Sequence, residues 1–129
     1  INPVVEFFGK IIQIKIINSN EFIGYNQTFK TNRNIIAAII GVGYADGIPR
    51  KLSNKNYVYY KENKFKIIGR ISMDSFTIDI TNSKHNLQVG MYIEIINKKN
   101  DIEDFANKCE TISNEVLTSI GSRVKRLYV

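Results

Sequence analysis

Asp46, Asp74 and Asp79, the one histidine, the one cysteine and a set of tyrosines are the side chains here whose setting could suit chemistry. Asp74 and Asp79 could form a carboxylate pair, one giving and one taking a proton. Their odd spacing puts them on opposite faces of a single strand, so a shared proton or metal is not expected. They read as a turn aspartate and a strand-edge aspartate. Asp46 stands among Gly43, Gly47 and Pro49, and is expected to brace that turn by accepting backbone N–H groups. His85 lies in Asn82-Ser83-Lys84-His85-Asn86, a polar turn without a partner acid or thiol, and reads as neither ligand nor base. Cys109 falls on the apolar stripe of an expected helix and reads as a small core residue. No metal-ligand spacing occurs, so no metal is expected. No lysine stands out as a Schiff-base former, because the lysines lie in polar stretches or alternate out of strands.

The tyrosines are more suggestive. Tyr25 and Tyr44 each follow a glycine, in Gly24-Tyr25 and Gly43-Tyr44. A glycine before an aromatic can let the ring project into a cleft; packing in a core or an interface is the competing reading. A phenol, with a pKa of about 10, works as a base only if cations depress that value.

Tyr44 and Asp46 belong to Gly41-Val42-Gly43-Tyr44-Ala45-Asp46-Gly47-Ile48-Pro49-Arg50, the stretch around which the chain is arranged. It follows the apolar run Ile35-Ile36-Ala37-Ala38-Ile39-Ile40, which reads as a buried strand continuing to Val42. A strand end therefore presents polar groups on a tightly shaped loop, where sites tend to be built. Gly41-x-Gly43 after a strand resembles a dinucleotide fingerprint. That motif needs a third glycine where Asp46 stands, and Ile48-Pro49 argues against an immediate helix.

The elements that must position these groups are mostly strands. Lys10–Ile17 alternates imperfectly and is rich in isoleucine. Phe22–Phe29 reads as an irregular extended segment broken by Gly24. Tyr57–Tyr60, a turn at Glu62-Asn63, and Phe65–Ile68 form an expected hairpin. Phe76-Thr77-Ile78-Asp79-Ile80 alternates strictly, placing Phe76, Ile78 and Ile80 on one face. Tyr92–Ile96 and Val124–Val129 are further strands. Two short helices are expected late in the chain, one capped by Asp101 and carrying Ile102, Phe105, Ala106 and Cys109, the other carrying Ile112, Val116 and Ile120 before Gly121. The expected fold is a mostly-β single domain over residues 1–129, a barrel or sandwich with those two helices.

The totals bound the function. The chain has 129 residues, 43% of them hydrophobic, enough for a core, and no run is long enough to span a membrane. It opens on Ile1, not Met, which predicts a fragment or processed product, and no run reads as a secretory leader. A single cysteine excludes an internal disulfide and suits a reducing, cytoplasmic location. The net charge of +6 invites a nucleic-acid reading. The lysines are scattered, however, with Lys98-Lys99 the only adjacent pair, and the heavy use of Ile, Asn and Lys is what an AT-rich coding sequence leaves. Neither a nucleic-acid nor a membrane partner is expected.

Several motifs taken together resemble the C-terminal domain of alanine racemase. They are Gly24-Tyr25 with Thr28-Phe29, Val42-Gly43-Tyr44-Ala45-Asp46-Gly47 with Pro49-Arg50, and Gly69-Arg70-Ile71-Ser72-Met73-Asp74. After them come Thr111-Ile112, Glu115-Val116, Gly121, Arg123-Val124, Arg126 and Tyr128, in the family's order and with similar spacing from about Pro3 onward. The resemblance implies a pyridoxal-phosphate enzyme, an isomerase that interconverts L- and D-alanine and so supplies D-alanine for peptidoglycan. It implies an N-terminal α/β barrel that carries the Schiff-base lysine, absent from this chain. It also implies a homodimer in which this β-domain completes the partner's active site. The isolated domain is then expected to be inactive.

Residue by residue, the resemblance makes Tyr25 the catalytic second base, on the face of the substrate opposite the lysine. A histidine and an arginine from the barrel would help to lower its pKa. Tyr44 matches a tyrosine that narrows the entrance to small amino acids, and Asp74 lines the corridor. Met73 matches the residue whose backbone N–H holds the substrate carboxylate. Asn114 stands where a tyrosine usually reaches the cofactor phosphate, and being shorter it would reach only through a water. Ser75 stands where glutamine is common, and Asn18-Ser19-Asn20 lacks the usual glycine. A stand-alone β interaction module or decayed remnant without catalysis is the alternative reading.

Overall fold

The computed structural model describes residues 5–20, 22–23, 29–30, 32–48, 56–96 and 127–128. Nine strands are described: β1 Val5–Ile17, β2 Phe22–Ile23, β3 Phe29–Lys30, β4 Ile35–Ile40, β5 Tyr57–Tyr60, β6 Asn63–Ile68, β7 Phe76–Asp79, β8 Tyr92–Ile96 and β9 Leu127–Tyr128. All the pairings are antiparallel. The order β4-β7-β6-β5-β8-β1 closes on itself through a β1–β4 pairing, and β9 is added beside β1. The expected barrel-or-sandwich resolves as a closed barrel, which leaves few strand edges open. β2 and β3 form a separate two-stranded piece.

Two strands turn the corners. β1 pairs with β8 through Phe7–Lys10 and with β4 through Ile11–Ile17. Its register shifts between Ile11 and Gln13, as a bulge does when a strand changes partner. β6 pairs with β5 through Asn63–Lys66 and with β7 through Ile67 and Ile68.

The interior is filled mostly by β-branched side chains, stiff and suited to a pleated surface. Ile11, Ile40, Phe76, Ile78 and Ile93 are buried in one cluster with Phe7, Val58, Phe65 and others. A smaller cluster of Ile17, Ile35, Ala37 and Ile68 is also buried. Ala37 and Ala38 fall in different clusters, as do Ile67 and Ile68, because successive side chains leave a strand on opposite faces. β4 is covered on both faces along most of its length, which is why it reads as a continuous apolar run. Ile36 departs from that expectation and is exposed.

The alternation read in residues 76–80 is borne out, with Phe76, Ile78 and Ile80 all buried. Burying a side chain of the size of Phe76 contributes about 1.5–3 kcal/mol. The hairpin turn differs from expectation. It is Lys61-Glu62, with Lys61 at φ 53, and Asn63 already opens β6. Lys61 N–H donates to Glu94 of β8 at 2.8 Å, tying the turn to the neighbouring strand. Asn63 is buried because its Oδ1 accepts the Lys84 N–H at 2.7 Å. The two late helices, Cys109 among them, fall outside the described residues.

Candidate active site

The loop after β4 is held by its aspartate. Asp46 is fully buried, and its Oδ2 accepts the Gly43 N–H at 3.0 Å. This is the brace expected from the sequence. Asp46 N–H and Ile48 N–H both donate to the Gly43 carbonyl, at 2.9 and 3.2 Å. Residues Tyr44–Asp46 form one short 3₁₀ turn, where the sequence argued against a helix. Ile48-Pro49 stops that turn from growing; it does not stop it from forming. Gly47 ends it at φ 100, a left-handed conformation that glycine adopts without penalty.

The loop is pressed onto a second one. Tyr44 N–H donates to the Ser72 carbonyl, and Ala45 N–H to the Met73 carbonyl, both at 3.0 Å. The contact is backbone on backbone. A Cβ added to Gly43 would lie 2.6 Å from both the carbonyl carbon and the carbonyl oxygen of Met73, and against Ser72 O as well. No other residue fits there without moving the chain.

The second loop is a turn closed by serines. Ser72 N–H and Ser72 Oγ each donate to the Ser75 carbonyl at 2.9 Å, and Ser75 N–H donates back to Ser72 Oγ at 3.2 Å. Met73 and Asp74 occupy its exposed tip. The side chain of Met73 is 52% exposed and that of Tyr44 is 42% exposed, so Tyr44 is not a core tyrosine. Among the described residues the Met73 N–H meets no acceptor. Loops 28 positions apart (the separation of Tyr44 and Ser72) thus bring the backbones of Tyr44-Ala45 and Ser72-Met73 together, with Asp74 next along the second loop.

Tyr25 and Asn114 lie outside the described residues. Sequence reasoning missed Ser72 and Ser75 as site-shaping residues; the signal available was a serine pair at i, i+3, the spacing of a hydroxyl-closed turn.

Other groups fall elsewhere. Asp79 ends β7, pairs with Arg33 at 3.0 Å and accepts the Thr81 N–H at 3.0 Å, so it is the edge aspartate expected and stands apart from Asp74. His85 is half-buried, not solvated, and its ring meets Tyr60 edge-on at 5.2 Å. A cleft of about 450 Å³ opens over the β5–β6 hairpin, away from the paired loops. Its rim mixes Arg33, Lys64, Lys66 and Lys84 with Glu62 and Asp79, unlike the single-signed stripe that nucleic acid selects. Among the described residues no three His, Cys, Asp or Glu side chains gather as a metal needs, and no helix is long and apolar enough to cross a membrane.

The whole pattern can be matched to known proteins. The sequence model of the family described as alanine racemase, C-terminal domain, matches residues 4–128. The chain belongs to that family. The alanine racemase of Brucella ovis is 39% identical over 128 residues, covering 98% of this chain and 32% of the relative. That of Acidiphilium cryptum is 41% identical over 125 residues, covering 97% of this chain and 35% of the relative. Among solved structures, alanine racemase from Bartonella henselae, with covalently bound pyridoxal phosphate, superposes with a TM-score of 0.89 at 39% identity. That match covers 95% of this chain and 34% of the other. Alanine racemase from Streptomyces coelicolor gives 0.85 at 28% identity, over 96% and 33%. The chain thus spans about one third of the length of the relatives it matches.

That fraction bears on the cofactor. A Schiff-base lysine is activated by desolvation or by a neighbouring cation. Among the described residues Lys10, Lys15, Lys61, Lys64, Lys66 and Lys84 are all exposed. These residues do not fit the task of holding pyridoxal phosphate.

Proposed function

We propose that this chain is the β-domain of an alanine racemase and completes an active site whose cofactor is held by an α/β barrel preceding it. The reading is carried by one juxtaposition: Tyr44, Met73 and Asp74 share the surface where two backbone-locked loops meet, inside a family match spanning residues 4–128. The substrate class is a small amino acid, alanine, interconverted between its L and D forms for use in the cell wall. The reaction belongs to a cytoplasmic homodimer in which each β-domain serves the partner's barrel.

Pyridoxal phosphate held by the barrel would supply the electron sink for the charge that develops at Cα. This chain's residues do the rest on one side of the substrate. Tyr25 takes or gives the Cα proton on the face opposite the lysine. The Met73 N–H donates to the substrate carboxylate, a use supported by its lack of an acceptor among the described residues. Tyr44 narrows the opening, which its exposed ring permits, and Asp74 lines the path beside it. By family likeness Asn114 would meet the cofactor phosphate only through a water. Without the barrel the domain has no lysine base and no activity.

In the full-length enzyme, Tyr25→Phe is expected to slow proton transfer on one face by about 10²-fold or more, as loss of a general base does. Cα-deuterium exchange should then show one direction of racemisation suffering far more than the other. Normal rates and normal exchange in both directions would sink the assignment. The separated 129-residue chain, mixed with pyridoxal phosphate and L-alanine, should form no D-alanine; measurable turnover would refute the shared-site reading.

A further inference from the structure

We propose that Ser72 is a positioning residue for the substrate carboxylate, acting through the Met73 N–H. The inference rests on the reading above that this N–H binds the carboxylate. A trans peptide is planar, and its C=O and N–H point in opposite directions. Ser72 C=O and Met73 N–H belong to one such plane. Whatever holds the Ser72 carbonyl therefore aims the Met73 N–H. The Tyr44 N–H holds it, at 3.0 Å, from the glycine loop. The Met73 N–H then points away from that loop and carries no acceptor among the described residues.

The following plane is held too, because Ala45 N–H donates to Met73 O at 3.0 Å. Ser72 fixes the ends of the turn against each other. Its Oγ donates to Ser75 O at 2.9 Å, accepts the Ser75 N–H at 3.2 Å and lies 3.1 Å from Ser75 Oγ. A backbone donor serves a carboxylate well only if its direction is set before the ligand arrives. The Ser72 hydroxyl supplies part of that direction without touching the ligand. Ser75 makes the turn a closed serine pair.

The test uses the full-length enzyme with its cofactor and two small probes. Propionate has alanine's carboxylate and no amino group; ethylamine has the amino group and no carboxylate. Ser72→Ala is expected to weaken propionate binding about five- to tenfold, the scale of one misdirected hydrogen bond to a charged group. Ethylamine binding should stay unchanged, and Ser72→Thr should restore propionate to within about twofold. Propionate binding unaffected by Ser72→Ala, an equal loss for ethylamine, or no rescue by threonine would each overturn the proposal. Replacing the Met73 N–H by an ester oxygen separates the two layers. If the ester weakens propionate and Ser72→Ala does not, the carboxylate reading stands and the positioning role falls. If the ester changes nothing, the carboxylate reading itself fails and the positioning role goes with it.

Discussion

Asp46 and Asp79 are the same side chain used in opposite ways. Asp46 is fully buried, and its carboxyl organises backbone: it holds the Gly43 N–H and so shapes the loop that meets Ser72 and Met73. Asp79 lies at a strand end with its side chain 18% exposed, paired to an Arg33 that is itself 55% exposed. The buried acid acts on geometry that water cannot restore once it is lost. The rim acid acts on a charge that water and salt can largely replace. The residue that matters more to the site is thus the one with no visible role in chemistry.

Four substitutions test that contrast, each read by urea unfolding. Gly43→Ala should be worst, costing about 3 kcal/mol or more, because the new Cβ meets backbone that has no rotamer to yield. Near-normal stability would show that the two loops can separate freely, and the contrast would collapse. Asp46→Ala should cost about 2 kcal/mol, since it leaves the Gly43 N–H buried without this acceptor. Asp79→Ala should cost about 1 kcal/mol through its bonds to Thr81 and Arg33. Arg33→Ala should cost about 0.5 kcal/mol, and that cost should shrink in high salt. An Arg33 effect as large as that of Asp46, or one indifferent to salt, would erase the distinction between a buried brace and a rim pair.

The same contrast explains what could be read from the chain before its fold was known. Asp46 as a brace was legible because its partner is three residues away and the glycines announce a turn. The strands at residues 57–60 and 92–96 were legible because short apolar runs lay between polar breaks. β1 reads as a strand only from Lys10, because upstream the adjacent Phe7 and Phe8, where its register against β8 shifts, break the alternation. Asn63 looked like a turn residue, and its strand position depends on Lys84, 21 residues on. The meeting of Tyr44 with Ser72 was not legible at all, since it follows from the pairing of β4 with β7, which sets Ile40 beside Phe76. The chemistry assigned to Tyr25, Met73 and Asn114 came from family likeness, because nothing local marks a tyrosine as a base or an amide as a carboxylate donor.

The double duty of β1 has a consequence for how the chain acquires its shape. Among the described residues its Phe7–Lys10 half pairs with Tyr92–Ile96, and its Val5-Glu6 end with Leu127-Tyr128. Such pairings close long loops and are slow to form. During synthesis the Val5–Lys10 half of the strand must therefore wait, unpaired, while most of the domain is still being made. An exposed apolar edge of this kind invites pairing with the wrong chain. The ring that gives the finished domain its closed edge is also the last thing it can make, so its period of greatest danger is its own translation.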